Sequence, residues 1–195
     1  MDLMNIGFDI DGVISNFVET FIKLVKRKYD VILKETDIYC HDLNLVLGIS
    51  KEESYQLIRK TLKEDLTLNY GAKETLKKLS IGEHKIFILT ARPRDLTEVT
   101  KDWLKRKDIP YTQIIQLNEG EKYLAKVDLD LIVEDNLEDA VEWSQRVKSI
   151  LVYDHPWNKT LNVKRLITRV YSWDEIFQEV QRLEKSSLKA LSSLH

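Results

Sequence analysis

Five short apolar runs punctuate the chain: MNIGF (4–8), KIFILT (85–90), TQIIQL (112–117), LDLIVE (129–134) and SILVYD (149–154). They are continuous more than alternating, as in strands covered on both faces. Between most of them, apolar positions recur at helical spacing. Over 95–107, Leu96, Val99, Trp103 and Leu104 form one stripe and basic residues fill the last turn. Asp95 followed by Glu98 reads as the N-cap of that helix with its partner. Over 136–147, Leu137, Ala140, Val141 and Val147 point inward. Strands alternating with helices predict an α/β fold, a doubly wound and mostly parallel sheet.

The first gap breaks this rhythm. About 75 residues separate the first two strands, far more than a crossover needs. The extra chain has helical patterns at 16–30 and 50–65 around a polar, aromatic-flecked middle at 35–49, and Ser50 with Glu53 makes a good helix start. Residues 15–66 are therefore expected to form a small helical cap over the C-terminal edge of the sheet. The segment GAKETLKKLS (71–80) returns the chain to a core made of 1–14 and 67–182. The Ser/Leu-rich end, 183–195, is expected to extend or fray the last helix.

Composition narrows the classes. The 195 residues are 43% hydrophobic and 32% charged, an ordinary globular balance. A formal net charge of -2 gives no basic excess for general nucleic-acid or anionic-membrane binding. The single cysteine, Cys40, rules out an internal disulfide framework and lies in no catalytic motif. No signal-like start and no membrane-length apolar run are visible, so a cytoplasmic protein is expected.

The chemistry gathers at strand ends. Asp9 and Asp11 close the first strand one residue apart, so they face the same side and repel unless a cation or a shared proton intervenes. Turn formation before Gly12 accounts for Asp11 but poorly for Asp9, which still lies in the strand. A second acidic pair, Glu134 and Asp135, ends the fourth run. Ligands of doubly wound sheets bind at the carboxyl ends of strands where the winding reverses. If the first and fourth strands are neighbours there, Asp9, Asp11 and Asp135 converge as hard oxygen donors suited to Mg²⁺. LTARPRD (89–95) adds the Thr90 hydroxyl, Ala91 and Arg92 at a helix start, an arrangement that receives phosphate. Lys122 is the better placed lysine to neutralise a transferring phosphoryl group, with Lys126 as the alternative.

These motifs together resemble the haloacid dehalogenase superfamily of phosphotransferases: DIDGV for the nucleophile, LTARP for the Thr/Ser element, Lys122 for the lysine and IVEDN for the acids, in the right order over 5–139. With the later VYDHPWN (152–158), the chain resembles the 5′(3′)-deoxyribonucleotidases and their bacterial nucleotidase relatives. The resemblance implies that Asp9 is the nucleophile that forms an aspartyl-phosphate. Asp11 would protonate the leaving oxygen and then activate water. Mg²⁺ would be held by the Asp9 carboxylate, the Asp11 backbone carbonyl and Asp135, and Thr90 and Lys122 would grip the phosphoryl oxygens. The chain departs from the family in carrying Glu134 where the deoxyribonucleotidases have a first aspartate. Glu134 is left as a neighbour of the metal shell. Asp139 stands as either an orienter of metal-bound water or an exposed helix acid.

The expected partner is a small phosphorylated metabolite, a nucleoside monophosphate. Phe17, Phe21 and Tyr55 could stack on a base, although aromatics at helical spacing also build cores. A phosphatase for a small non-nucleotide phosphate is the alternative within enzymes. A receiver-like phosphoacceptor domain or a silent scaffold is the alternative outside them; the long insert and an acceptor on the first strand speak against a receiver.

Overall fold

The computed structural model describes residues 3–118, 120–159 and 167–192. Among these, six strands form one parallel sheet: β1 (Asn5–Phe8), β2 (Lys85–Thr90), β3 (Gln113–Gln116), β4 (Leu131–Glu134), β5 (Ser149–Tyr153) and β6 (Ile167–Val170). Their order is β3-β2-β1-β4-β5-β6. The winding thus reverses between β1 and β4, which pair in parallel with Phe8 beside Val133. This is the doubly wound α/β class that the sequence predicts.

Among the described residues, seven α-helices accompany the strands: α1 (Phe17–Tyr29), α2 (Leu43–Leu47), α3 (Lys51–Leu62), α4 (Ala72–Ile81), α5 (Thr97–Lys107), α6 (Leu137–Trp143) and α7 (Trp173–Ser192), the last after β6. Alternate strand residues feed two buried clusters, one on each face. Ile86 and Ile88 join Ile6 and Phe8 under α4, α5 and α7, while Phe87 and Leu89 join Ile132 and Val152 under α6. Gly7 sits where β1 turns toward the second cluster. A β-carbon there would lie 2.6 Å from the Cδ1 atoms of both Ile132 and Leu89, so a larger residue would make these side chains shift.

Between β1 and β2, helices α1 to α3 bury their own cluster, including Val18, Phe21, Leu24, Val25, Leu43 and Leu57. Each longer helix has a side-chain cap. Asn16 accepts from Glu19 N at 3.2 Å at the start of α1, and Ser50 accepts from Glu53 N at 3.2 Å at the start of α3. The expected Ser50 start is therefore present. Trp157, which follows β5, is the one member of this cluster from outside the first insert.

Two local expectations fail. Asp95 does not cap the helix over 95–107: a 3₁₀ turn spans Arg94–Leu96, α5 begins at Thr97 with Leu96 as its N-cap residue, and Asp95 turns outward to Arg59 on α3. The bidentate ion pair across the gap outcompetes the local cap. The strand β6 was also not among the five apolar runs. Only Ile167 and Val170 of ITRV are buried, too little apolar sequence to announce an edge strand. The last helix extends through Ser192, and residues 193–195 lie outside those described.

Candidate active site

The site lies at the carboxyl ends of the central strands. Asp9 directly continues β1, with its N–H donating to Val133 O at 3.0 Å, so the ladder fixes the backbone that carries it. The chain then folds back. Gly12 N–H donates to Ser15 O at 2.9 Å and Ser15 N–H to Ile10 O at 2.7 Å, while the Asn69 amide binds the carbonyls of Gly12 and Val13, each at 2.8 Å. Gly12 has φ +97°, and a β-carbon there would fall 2.2 Å from Asp135 Oδ2. The glycine is thus needed for both the turn and the close approach of β1's loop to the acidic end of β4.

Each strand-end aspartate has its own cation. Lys122, in a 3₁₀ turn after β3, donates to Asp9 Oδ1 at 2.9 Å and Glu134 Oε2 at 2.8 Å, and lies 3.0 Å from Asp139 Oδ2. Arg92 grips Asp11 with two bonds of 2.7 Å, Nε to Oδ2 and Nη2 to Oδ1. Ser15 Oγ adds a third donor to Asp11 at 2.8 Å. Two adjacent carboxylates can therefore share one small volume because separate positive charges hold them.

The charge balance still leans negative. Among the described residues, Asp9, Asp11, Glu134, Asp135 and Asp139 pair only with Lys122 and Arg92, and all of these except Asp11 are buried. Burial pushes the Asp9 carboxyl up to about 7, with Asp135 and Asp11 adding to the rise and Lys122 opposing it. Burial pulls the Lys122 ammonium down, but Asp9, Glu134 and Asp139 overcome this and hold it well above the usual lysine range.

Oxygens of Asp9, Glu134 and Asp135 all lie within 4.8 Å of one another. Hard carboxylate donors, buried, close together and under-neutralised, fit a divalent cation such as Mg²⁺. Asp135 fits best as a ligand beside Asp9. Its Oδ2 accepts the Trp157 indole N–H at 3.0 Å, and Oδ1 has no hydrogen-bond partner among the described residues. Glu134 is more occupied, with Oε2 on Lys122 and Oε1 accepting from Trp143 Nε1 at 3.3 Å.

A cavity of about 250 Å³ opens above this cluster. Asp9, Asp11, Thr90, Ala91, Arg92, Lys122 and Asp135 all line it, while Glu134 lies beneath, bound to Lys122. The Thr90 hydroxyl accepts Arg92 N–H at 3.2 Å, which leaves its own hydrogen to donate. The Arg92 guanidinium is committed to Asp11, a contact the sequence does not reveal. Lys126 is exposed and lines a different cavity, beside Arg146. Asp139 is buried against Lys122, not an exposed helix acid. The upper wall comes from the first insert: Phe17 and Tyr55 both line the cavity, with Ile38, Leu43 and Trp157. Phe21 is instead fully buried in the helical cluster. Sequence reasoning missed Ser15 and assigned Asn158 no role. The HPWN turn enters the sequence reading only as part of the VYDHPWN resemblance.

An acidic strand-end cluster at the reversal of a 3-2-1-4-5-6 parallel sheet, with Thr and Lys in order, defines a phosphohydrolase of the haloacid dehalogenase superfamily. More narrowly, residues 3–185 match the family described as 5′ nucleotidase, deoxy (pyrimidine), cytosolic type C protein, and the chain belongs to that family. A nucleotidase of Clostridium acetobutylicum is 33% identical over 193 residues, covering 96% of this chain and 98% of its own. Among solved structures, a "predicted phosphatase" from Clostridium acetobutylicum superposes with a TM-score of 0.64 at 15% identity, covering 93% of this chain and 100% of its own. CbbY from Rhodobacter sphaeroides, solved in complex with phosphate, gives a TM-score of 0.60 at 9% identity, covering 90% and 96%. These two distant likenesses establish the fold. Family membership sets aside the receiver-domain and scaffold readings: the chain is a hydrolase whose acidic site suits Mg²⁺-dependent phosphoester hydrolysis. Among the described residues, no helix is long and apolar enough to cross a membrane.

Proposed function

We propose that this protein hydrolyses nucleoside monophosphates, with the deoxyribonucleotides as its preferred class. The observation that carries the reading is the stacking of two unlike surfaces in one cavity. Its floor is Asp9, Asp135 and Lys122, and its wall is Phe17, Tyr55, Ile38 and Trp157. A phosphate fits the first, and a flat base fits the second. The match to the deoxyribonucleotidase family and the nucleotidase relative support the same class.

The proposed chemistry has two displacements. A carboxylate oxygen of Asp9 attacks phosphorus, the ester P–O bond breaks, and the leaving oxygen takes a proton from Asp11. Asp11 then takes a proton from water, whose oxygen attacks the same phosphorus and releases Asp9 and inorganic phosphate. Bound Mg²⁺ would supply charge neutralisation for the phosphoryl oxygens and favour the ionised form of Asp9, which burial first and the neighbouring Asp135 and Asp11 next disfavour. Asp9 and Asp135 are its proposed side-chain ligands, with the Asp11 backbone carbonyl. Lys122 and the Thr90 hydroxyl hold phosphoryl oxygens. Residues 15–66 act as the cap that excludes water and reads the base.

Turnover of a panel of phosphomonoesters, with Mg²⁺ and with EDTA, tests the reading. Deoxynucleoside monophosphates should exceed sugar phosphates and phosphoglycolate in kcat/KM, and all turnover should vanish in EDTA. A sugar phosphate or other small acid phosphate at the top of the ranking would replace the nucleotide reading with the small-phosphate one.

A further inference from the structure

The turn after β5, His155-Pro156-Trp157-Asn158, lends the face of the Trp157 ring to the cavity wall, and its polar groups are spent on the acidic end of β4. Asn158 is fully buried, and its amide donates to Asp135 O and Tyr153 O, each at 2.8 Å. The Asn158 side-chain oxygen accepts from His155 N at 3.1 Å and from Arg169 Nη1 at 2.6 Å. One residue earlier, the Trp157 indole N–H donates to Asp135 Oδ2 at 3.0 Å. Consecutive residues of one turn therefore hold both the main chain and the side chain of Asp135. On the other side, Gly12 lies so close to Oδ2 that a β-carbon would reach within 2.2 Å. His155 Nε2 is 2.7 Å from Gly12 O, so the same turn also braces that loop.

We propose that Trp157 is a positioning residue for the metal carboxylate: its indole N–H pins Asp135 Oδ2 against Gly12 and leaves Oδ1 turned to the cation. The proposal rests on the reading of Asp135 as a Mg²⁺ ligand. An indole N–H only donates, so it fixes the carboxylate in one sense and cannot swap roles with it. A carboxylate ordered in advance loses less freedom when the ion arrives, and partners of this kind typically carry 10–100-fold in metal affinity. The rest of the ring serves packing. It stacks on His155 at a centroid distance of 4.1 Å and an angle of 8°, meets the His41 ring edge-on at 6.0 Å, and belongs to the same buried cluster as Ile38 and Leu43. Donor and ring thus have separable duties.

Trp157→Phe keeps a flat ring and removes the donor. A benzothienylalanine placed at position 157 keeps the bicyclic shape as well, and covers the case in which Trp157→Phe fails to fold. Mg²⁺ affinity of the full chain, measured by titration calorimetry without substrate, should fall about tenfold or more in either variant. The melting temperature in EDTA should stay near wild type for the benzothienylalanine protein. In turnover, the Mg²⁺ concentration for half-maximal rate should rise by a similar factor. Wild-type Mg²⁺ affinity in the benzothienylalanine protein would overturn the role of Trp157 while leaving the phosphatase reading intact. A wild-type chain that binds no Mg²⁺ would overturn the metal assignment and this proposal with it.

Discussion

Asp9 and Asp11 occupy one cavity because each is answered by a different cation, Lys122 for the first and Arg92 for the second. That division has consequences at single residues. Asp9→Asn should abolish turnover by removing the nucleophile while the fold persists, as circular dichroism and steady-state assays would show together. In the metal-free protein, the folded-state carboxyl of Asp9 is raised from 3.8 to about 7, so the folded chain retains a proton that the unfolded chain releases. Its contribution to stability is fully present below about pH 4 and is lost as pH rises through about 7. The melting temperature of Asp9→Asn relative to wild type, both in EDTA, should therefore shift upward between pH 5 and pH 8. A constant difference across that range would contradict the burial argument. Arg92 separates two ideas in another way. If it acts through Asp11, as its two 2.7 Å bonds indicate, Arg92→Ala should lower kcat far more than it raises KM for the nucleotide. A dominant rise in KM would return Arg92 to direct phosphate binding.

At the scale of elements, ion pairs such as Arg59–Asp95 link the α1–α3 insert to the rest of the chain, and the placement of its aromatics decides their use. Phe17 and Phe21 form a stacked pair with centroids 5.8 Å apart, but only Phe17 reaches the cavity. Their i, i+4 spacing makes the pair legible in the sequence; which member faces substrate depends on how α1 sits over β1, which no local pattern encodes. Tyr55, on α3, is 46% exposed and lines the same cavity, so it can be changed at little cost to folding. Tyr55→Ala and Phe17→Ala should alter the ranking of nucleotides more than the rate on a small aryl phosphate. Equal losses on both substrates would assign these side chains to stability alone. Ser50, by contrast, is a helix cap away from the chemistry. Ser50→Ala should cost about 1 kcal/mol in chemical denaturation and leave kcat unchanged. The one capping expectation that failed, at Asp95, did so because a long-range partner on α3 claimed the carboxylate. Competition of that kind is invisible to local pattern.

At the scale of the whole molecule, the fold was legible wherever burial was two-sided. KIFILT appears as β2 with the bounds its apolar run marks, and the order of strands and helices carries the winding. The edge strand β6 was illegible because half of its four residues face outward. In the site, residues 9, 11, 90, 92, 122 and 135 could be found because strand-end chemistry has sequence motifs. The roles of Trp157 and Asn158 could not, since their bonds to Asp135 depend on how the loops after β4 and β5 fold against each other, and the Ser15 bond to Asp11 depends on the turn that folds the chain back after β1. The excess of buried carboxylates also makes a global prediction. Mg²⁺ should raise the melting temperature in proportion to its binding, by about 2.7 kcal/mol of stability at a hundredfold excess over its Kd, and EDTA should reverse it.

All of these scales meet in the covalent step at Asp9. The most direct test is to mix the Asp11→Asn protein with a deoxynucleoside monophosphate and Mg²⁺, quench in acid, reduce with borohydride, and map the chain by mass spectrometry. The account predicts homoserine at position 9, the product of a reduced aspartyl-phosphate, and none when Mg²⁺ is withheld. Nucleotide turnover by the wild-type protein with the acyl phosphate found at another carboxylate, or at none, would contradict it.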